Sequence, residues 1–164
     1  FSTRDGGERA RFGVYALNRR AAEAATARAQ AHATELLDRQ GQDRAVMVLG
    51  DFNDEPAAAT TQLLLGPPGS EIGTGGFDQP DAGDGQRLWN LAPLIPEGQR
   101  FTRICRGQPQ LIDHILASHA ITQLLGPGDV TTGDTTTPSI TDNPNNRRDE
   151  PGSDNRPVLV DIPI

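Results

Sequence analysis

Apolar residues gather in short runs separated by long polar stretches. Ala45-Val46-Met47-Val48-Leu49 is Val-rich and too short for a typical helix, which predicts a buried strand that Gly50 ends. Phe101 to Ile104 and Leu111 to Ala117 read as two further strands, with Cys105 to Gln110 as the hairpin turn between them, and Val158 to Ile162 as a closing strand. Between about Arg19 and Gln40 the chain is dominated by Ala, Arg, Glu, Gln and Leu without Gly or Pro, so one long helix is expected. Leu36 and Leu37 anchor its end and Gly41 stops it, while residues 1 to 18 read as loop. Pro56 marks the first turn of a second helix, continued by Ala57 to Leu65, with Asp54 or Glu55 as acceptors for its free amides. Residues 66 to 87 and 126 to 152 read as long loops, the first followed by a short element around Leu88-Trp89-Asn90-Leu91.

Composition narrows this picture. The 164 residues suit one domain, and a chain of this size buries roughly 70% of its unfolded surface. With 35% hydrophobic residues, 4% aromatics, 18 Gly and 13 Pro, the core should be small and aliphatic. A formal charge of -7 offers no general attraction to a polyphosphate, so a nucleic-acid contact needs a local basic patch or bound cations. Cys105 is the only cysteine, which excludes an intramolecular disulfide and a Cys-rich zinc site and leaves the compartment open. No stretch approaches the roughly 20 apolar residues that span a bilayer.

The chemistry lies at strand ends. Asp51 and Asn53 are one residue apart and face the same side if strand geometry continues through Phe52, which then points into the core. Such an Asp can hold a water or a hydrated cation, and the Asn amide can donate to a phosphoryl oxygen without adding charge. A local turn stabilised by Asp or Asn side chains is the competing reading. Asp113 sits in an otherwise apolar strand and requires a partner or a cation, because an unpaired buried carboxylate costs several kcal/mol. His114 alternates to the opposite face, where packing is expected. Arg100, Arg103 and Arg106 cluster about the hairpin; Trp89 and the helical His32 read as packing and surface residues.

The ordered set Gly50-Asp51-Phe52-Asn53, Leu111-Ile112-Asp113-His114-Ile115-Leu116 and Ser153-Asp154-Asn155-Arg156-Pro157-Val158 resembles the endonuclease/exonuclease/phosphatase superfamily, the deoxyribonuclease I-like fold, and within it the bacterial nuclease-type members. That resemblance implies an α/β class: the C-terminal part of a two-sheet sandwich, mostly antiparallel, with flanking helices and with the domain's N-terminal half preceding Phe1. Asp51 would correspond to the carboxylate that orients the attacking water, Asn53 to the amide that steadies the phosphate, Asp113 to the carboxylate that orients a catalytic imidazole, and Asp154 to a metal-associated carboxylate, with Asp51 also near the ion. Magnesium is the implied cofactor, with manganese or calcium as alternatives.

The resemblance implies two departures from the family pattern. The N-terminal half, which would supply further site residues including the main metal carboxylate, is missing from these residues, so this fragment alone is expected to be inactive. Where His follows the Ser-Asp pair, this chain has Asn155. A carboxamide cannot take a proton near neutral pH as imidazole does, and removing a general acid or base typically costs about 100-fold to 10,000-fold in rate. The function this implies is metal-dependent phosphodiester hydrolysis in the intact parent, impaired in this fragment by truncation and by Asn155, with nucleic acid as the expected substrate partner. Phosphomonoester or lipid phosphodiester hydrolysis, and a noncatalytic phosphate- or metal-binding module, are the alternatives.

Overall fold

The computed structural model describes residues 3–33, 45–66, 87–105, 107–133, 153 and 155–163. Strand β5 (Asp113–Ala117) lies at its centre, flanked by β1 (Met47–Asp51) and β2 (Trp89–Asn90) in an antiparallel sheet of order β1-β5-β2. Side chains alternate along β5, so Ile115 and Ala117 face one core while His114 and Leu116 face the other. The first core gathers Leu91, Ile95, Ile121 and Val130; the second gathers Ala24, Val46, Leu64 and Leu88. Both faces of β5 are therefore covered, and Leu116 and Ala117 have no exposed surface.

Two small antiparallel ribbons complete the α/β architecture. Strands β3 (Arg103–Cys105) and β4 (Gln108–Gln110) form a hairpin, and β6 (Val130–Thr132) pairs with β7 (Val158–Val160). The expected hairpin between 101–104 and 111–117 is corrected here: β3 returns on β4, and Leu111 and Ile112 carry the chain into a different sheet. Strand β6 lies inside the segment expected to be loop throughout, and its last described neighbours precede residues 134–152, which fall outside the description. Strand β1 is also less buried than its Val-rich run implies. It is an edge strand of this sheet, and Leu49 is 65% exposed.

The first helix corrects another expectation. Helix α1 (Gly6–Ala33) begins within the supposed loop, and the expected extension over 34–40 lies outside the described residues. Its start is set by Asp5, whose Oδ1 accepts the Glu8 N–H at 2.8 Å, while Glu8 accepts the Thr3 hydroxyl at 2.6 Å. This side-chain capping satisfies amides that the first turn leaves free and tolerates the Gly6-Gly7 pair. The later part of α1 packs against α2 (Ala59–Leu65), where Arg28 donates to the Leu64 and Leu65 carbonyls at the helix end. Gly66 closes α2 at φ 93°, where a Cβ would run into the Arg28 guanidinium. Pro56 precedes α2 in a turn rather than occupying its first helical position.

Replacing Asp5 with Ala should weaken the start of α1 by about 0.5–2 kcal/mol. Hydrogen exchange at the Glu8 and Arg9 amides should accelerate while exchange in β5 is unchanged; equal protection at Glu8 would contradict the capping role.

Candidate active site

The β1–β5 register places Asp51 directly opposite Asp113, at the end of one strand and the beginning of the other. Like charges opposite each other in a ladder are unfavourable, so the pairing needs compensation. Asn155 supplies part of it: its Nδ2 donates to Asp51 Oδ2 at 3.4 Å and to Asp113 Oδ1 at 3.3 Å. These are long bonds, and among the described residues the buried Asp113 Oδ2 has no hydrogen-bond partner. A buried oxygen of this kind marks a place where a donor or cation belongs.

Asn53 does not continue β1 as expected. The strand ends at Asp51, and Asn53 turns into the left-handed region at φ 53° while its N–H donates to Asp51 Oδ1 at 2.8 Å. The local turn is therefore real, and it holds the Asp51 carboxylate in place beside Asn155. Phe52 is half-buried and packs towards the second core, as its alternation implies. Asp154 lies outside the described residues; the structure brings together Asp51, Asn53, Asp113 and Asn155.

Thr102 organises these segments and carries no signal in the sequence. Its side chain is fully buried, and its Oγ1 accepts the Ile112 N–H at 3.1 Å and lies 3.4 Å from the Asp113 N. The Thr102 carbonyl accepts the Arg156 N–H at 2.6 Å. One residue thus ties the start of β5 to the segment carrying Asn155.

A family model described as the endonuclease/exonuclease/phosphatase family matches residues 5–154. The chain belongs to that family. Neither the curated proteins nor the solved structures contain a match to it. Membership makes this a phosphoester-hydrolase type of domain, in a superfamily whose members generally depend on a divalent metal. Among the described residues no group of three or more His, Cys, Asp or Glu side chains is placed to hold a metal ion. The facing pair Asp51 and Asp113 offers two hard carboxylates, a donor set that would suit a cation keeping much of its water.

The opposite face of β5 is built from packing. His114 is 2% exposed, stacks beside Phe52 at 5.3 Å, and has Nε2 2.7 Å from the Asp54 carbonyl and Nδ1 3.3 Å from Asn90 Nδ2. It is a packing residue, as its strand alternation implies. Asp54 spends its carboxylate on Arg20, at 2.7 Å, and on the Thr60 hydroxyl, rather than on the free amides of α2. That ion pair joins α1 to the loop after β1. Trp89 is buried against His119, which settles it as a core residue.

Burial pushes the His114 pKa down, against the opposing pull of the Asp54 carbonyl and of the Asp113, Asp51 and Asp54 carboxylates. The unfolded imidazole, with a pKa of about 6.5, then binds a proton more readily than the folded one, so stability is full above that value and falls as pH drops below it towards the folded pKa. Denaturant unfolding should show a contribution from His114 of at most about 1.4 kcal/mol per pH unit in this window. His114→Gln should flatten that dependence; an unchanged slope would exclude His114 as its source. Thr102→Val should reduce stability by about 1–3 kcal/mol by leaving buried amides unpaired, read from the unfolding midpoint.

Proposed function

We propose that this domain cleaves phosphodiesters by metal-dependent hydrolysis, in the manner of a nuclease, and that Asn155 leaves it with substrate and metal binding but weak turnover. The observation carrying this reading is the Asn155 amide bridging Asp51 and Asp113 beside the unpartnered Asp113 Oδ2. A family-type His at that position would meet the same carboxylates and be oriented by Asp113.

Asp51, held by the Asn53 turn, orients the attacking water. Asn53 presents its amide to a phosphoryl oxygen, adding a dipole where negative charge develops without adding charge of its own. Asp51 and Asp113 are the described residues suited to a divalent ion, magnesium in the first instance and manganese or calcium as alternatives, with Asp154 as a further carboxylate. Bound there, the ion would supply charge stabilisation for the departing oxygen. Asn155 donates hydrogen bonds but takes no proton near neutral pH, which removes the general acid or base from the sequence of steps. The same substitution favours a noncatalytic phosphate- or metal-binding role as the second reading.

The decisive measurement follows release of nitrophenolate from bis(4-nitrophenyl) phosphate by the protein at its full natural length, with magnesium or manganese. The native protein should be slow, and Asn155→His should raise the rate by about 100-fold to 10,000-fold. Chelation with EDTA should abolish that gain, as should Asp113→Asn in the same background. An Asn155→His protein as inert as the native one sinks the catalytic assignment and leaves the binding module. Parallel assays with 4-nitrophenyl phosphate and a phospholipid separate monoester and lipid cleavage from nuclease-type cleavage.

A further inference from the structure

Asn155 reaches both carboxylates through its side chain, yet its own backbone is tied only locally. Its N–H donates to Ser153 Oγ at 3.1 Å, two residues back, and among the described residues no backbone hydrogen bond joins Asn155 to another segment. The tertiary anchor of this stretch is the next residue, Arg156.

Arg156 grips one short segment twice. Its N–H donates to the Thr102 carbonyl at 2.6 Å, and its guanidinium carbon lies 4.2 Å from the centroid of the Phe101 ring. That distance is a cation–π contact, and a planar, weakly hydrated guanidinium stacks on a ring in a way that a Lys ammonium does not. Both side chains are half-buried, so water screens the contact only in part. Among the described residues no carboxylate lies within ion-pair distance of Arg156, which leaves the ring as its partner.

The same two residues also set Asp113. Thr102 Oγ1 accepts the Ile112 N–H and lies 3.4 Å from the Asp113 N. Phe101 and Thr102 therefore form a bracket with Asp113 on one arm and residue 155 on the other. Movement of the Arg156 arm would shift residue 155 without disturbing the β1–β5 register. At 3.3 and 3.4 Å the two bonds from Asn155 Nδ2 are already long, so a small displacement is enough to lose them.

We infer that Arg156 is a positioning residue: by gripping Phe101 and Thr102 it holds residue 155 against Asp51 and Asp113. Its part in the reaction rests on the phosphodiesterase reading above; the positioning itself does not.

The Asn155 side-chain amide reports the positioning without turnover. In the protein at its full natural length, NMR would follow solvent exchange of the Asn155 Nδ2 protons, assigned by their absence in Asn155→Asp. Arg156→Met keeps an unbranched chain and loses the charged plane, so this exchange should accelerate by about tenfold, the scale of one hydrogen bond to a charged group. Backbone exchange in β5 should stay native-like, and Arg156→Lys should fall between the two proteins. Phe101→Leu removes the ring and keeps Arg156; it should match Arg156→Met, and it decides the matter if Arg156→Met does not fold. Unchanged Asn155 exchange, or acceleration shared equally by β5, overturns the positioning. In the Asn155→His background, Arg156→Met should lower kcat by about 10-fold to 100-fold with KM unchanged. Faster Asn155 exchange together with an inert Asn155→His protein keeps the positioning and removes the catalytic reading. Unchanged exchange together with an active Asn155→His protein removes the positioning alone.

Discussion

The antiparallel pairing of β1 with β5 is the constraint on which the site depends. Its register is held at both ends, by the Phe52 N–H on the Ile112 carbonyl and by Ser118, which donates its N–H to Val46 O and accepts the Val46 N–H on Oγ. A slip of one residue would turn Leu116 and His114 out of the second core, so burial opposes it strongly. The register that fills the core also forces Asp51 and Asp113 together. Packing thus bears the cost of holding two carboxylates side by side, and the chemistry inherits their geometry.

Around that pair, each site segment is fastened by something other than the site itself. Asp54 and Arg20 link the turn after β1 to α1, and Thr102 links the start of β5 to the Asn155 segment. Within the site itself, Asp51 accepts from Asn155 and from the Asn53 amide, Asp113 Oδ1 accepts from Asn155, and among the described residues the buried Asp113 Oδ2 has no hydrogen-bond partner.

Much of this was legible in the sequence. The Val-rich run, the alternation through Asp113 and His114, and the motif order announced the two strands, though not their pairing with each other, as well as the α/β class and the family. The start of α1 was misread because Gly6-Gly7 outweighed the Asp5 and Glu8 capping pair, a short signal that needs both partners recognised at once. The hairpin was misplaced because apolar alternation runs continuously from Leu111 into β5, while the break between sheets is a matter of tertiary pairing. Thr102 escaped notice because a buried hydroxyl serving distant backbone amides leaves no periodicity behind it.

The left-handed turn at Asn53 has a further consequence for how this site can vary over time. Among the described residues it is the only non-glycine position at positive φ. The conformation admits Gly, Asn and Asp with little strain and penalises β-branched or bulky side chains. Of those three, Asn alone brings a neutral donor to the site. Backbone and chemistry therefore filter the same codon independently, and a lineage that lost the reaction would still be held by the turn to a narrow set of residues there. Persistence of Asn53 is weak testimony to activity, whereas position 155, under no comparable backbone demand, is free to record whether catalysis was kept.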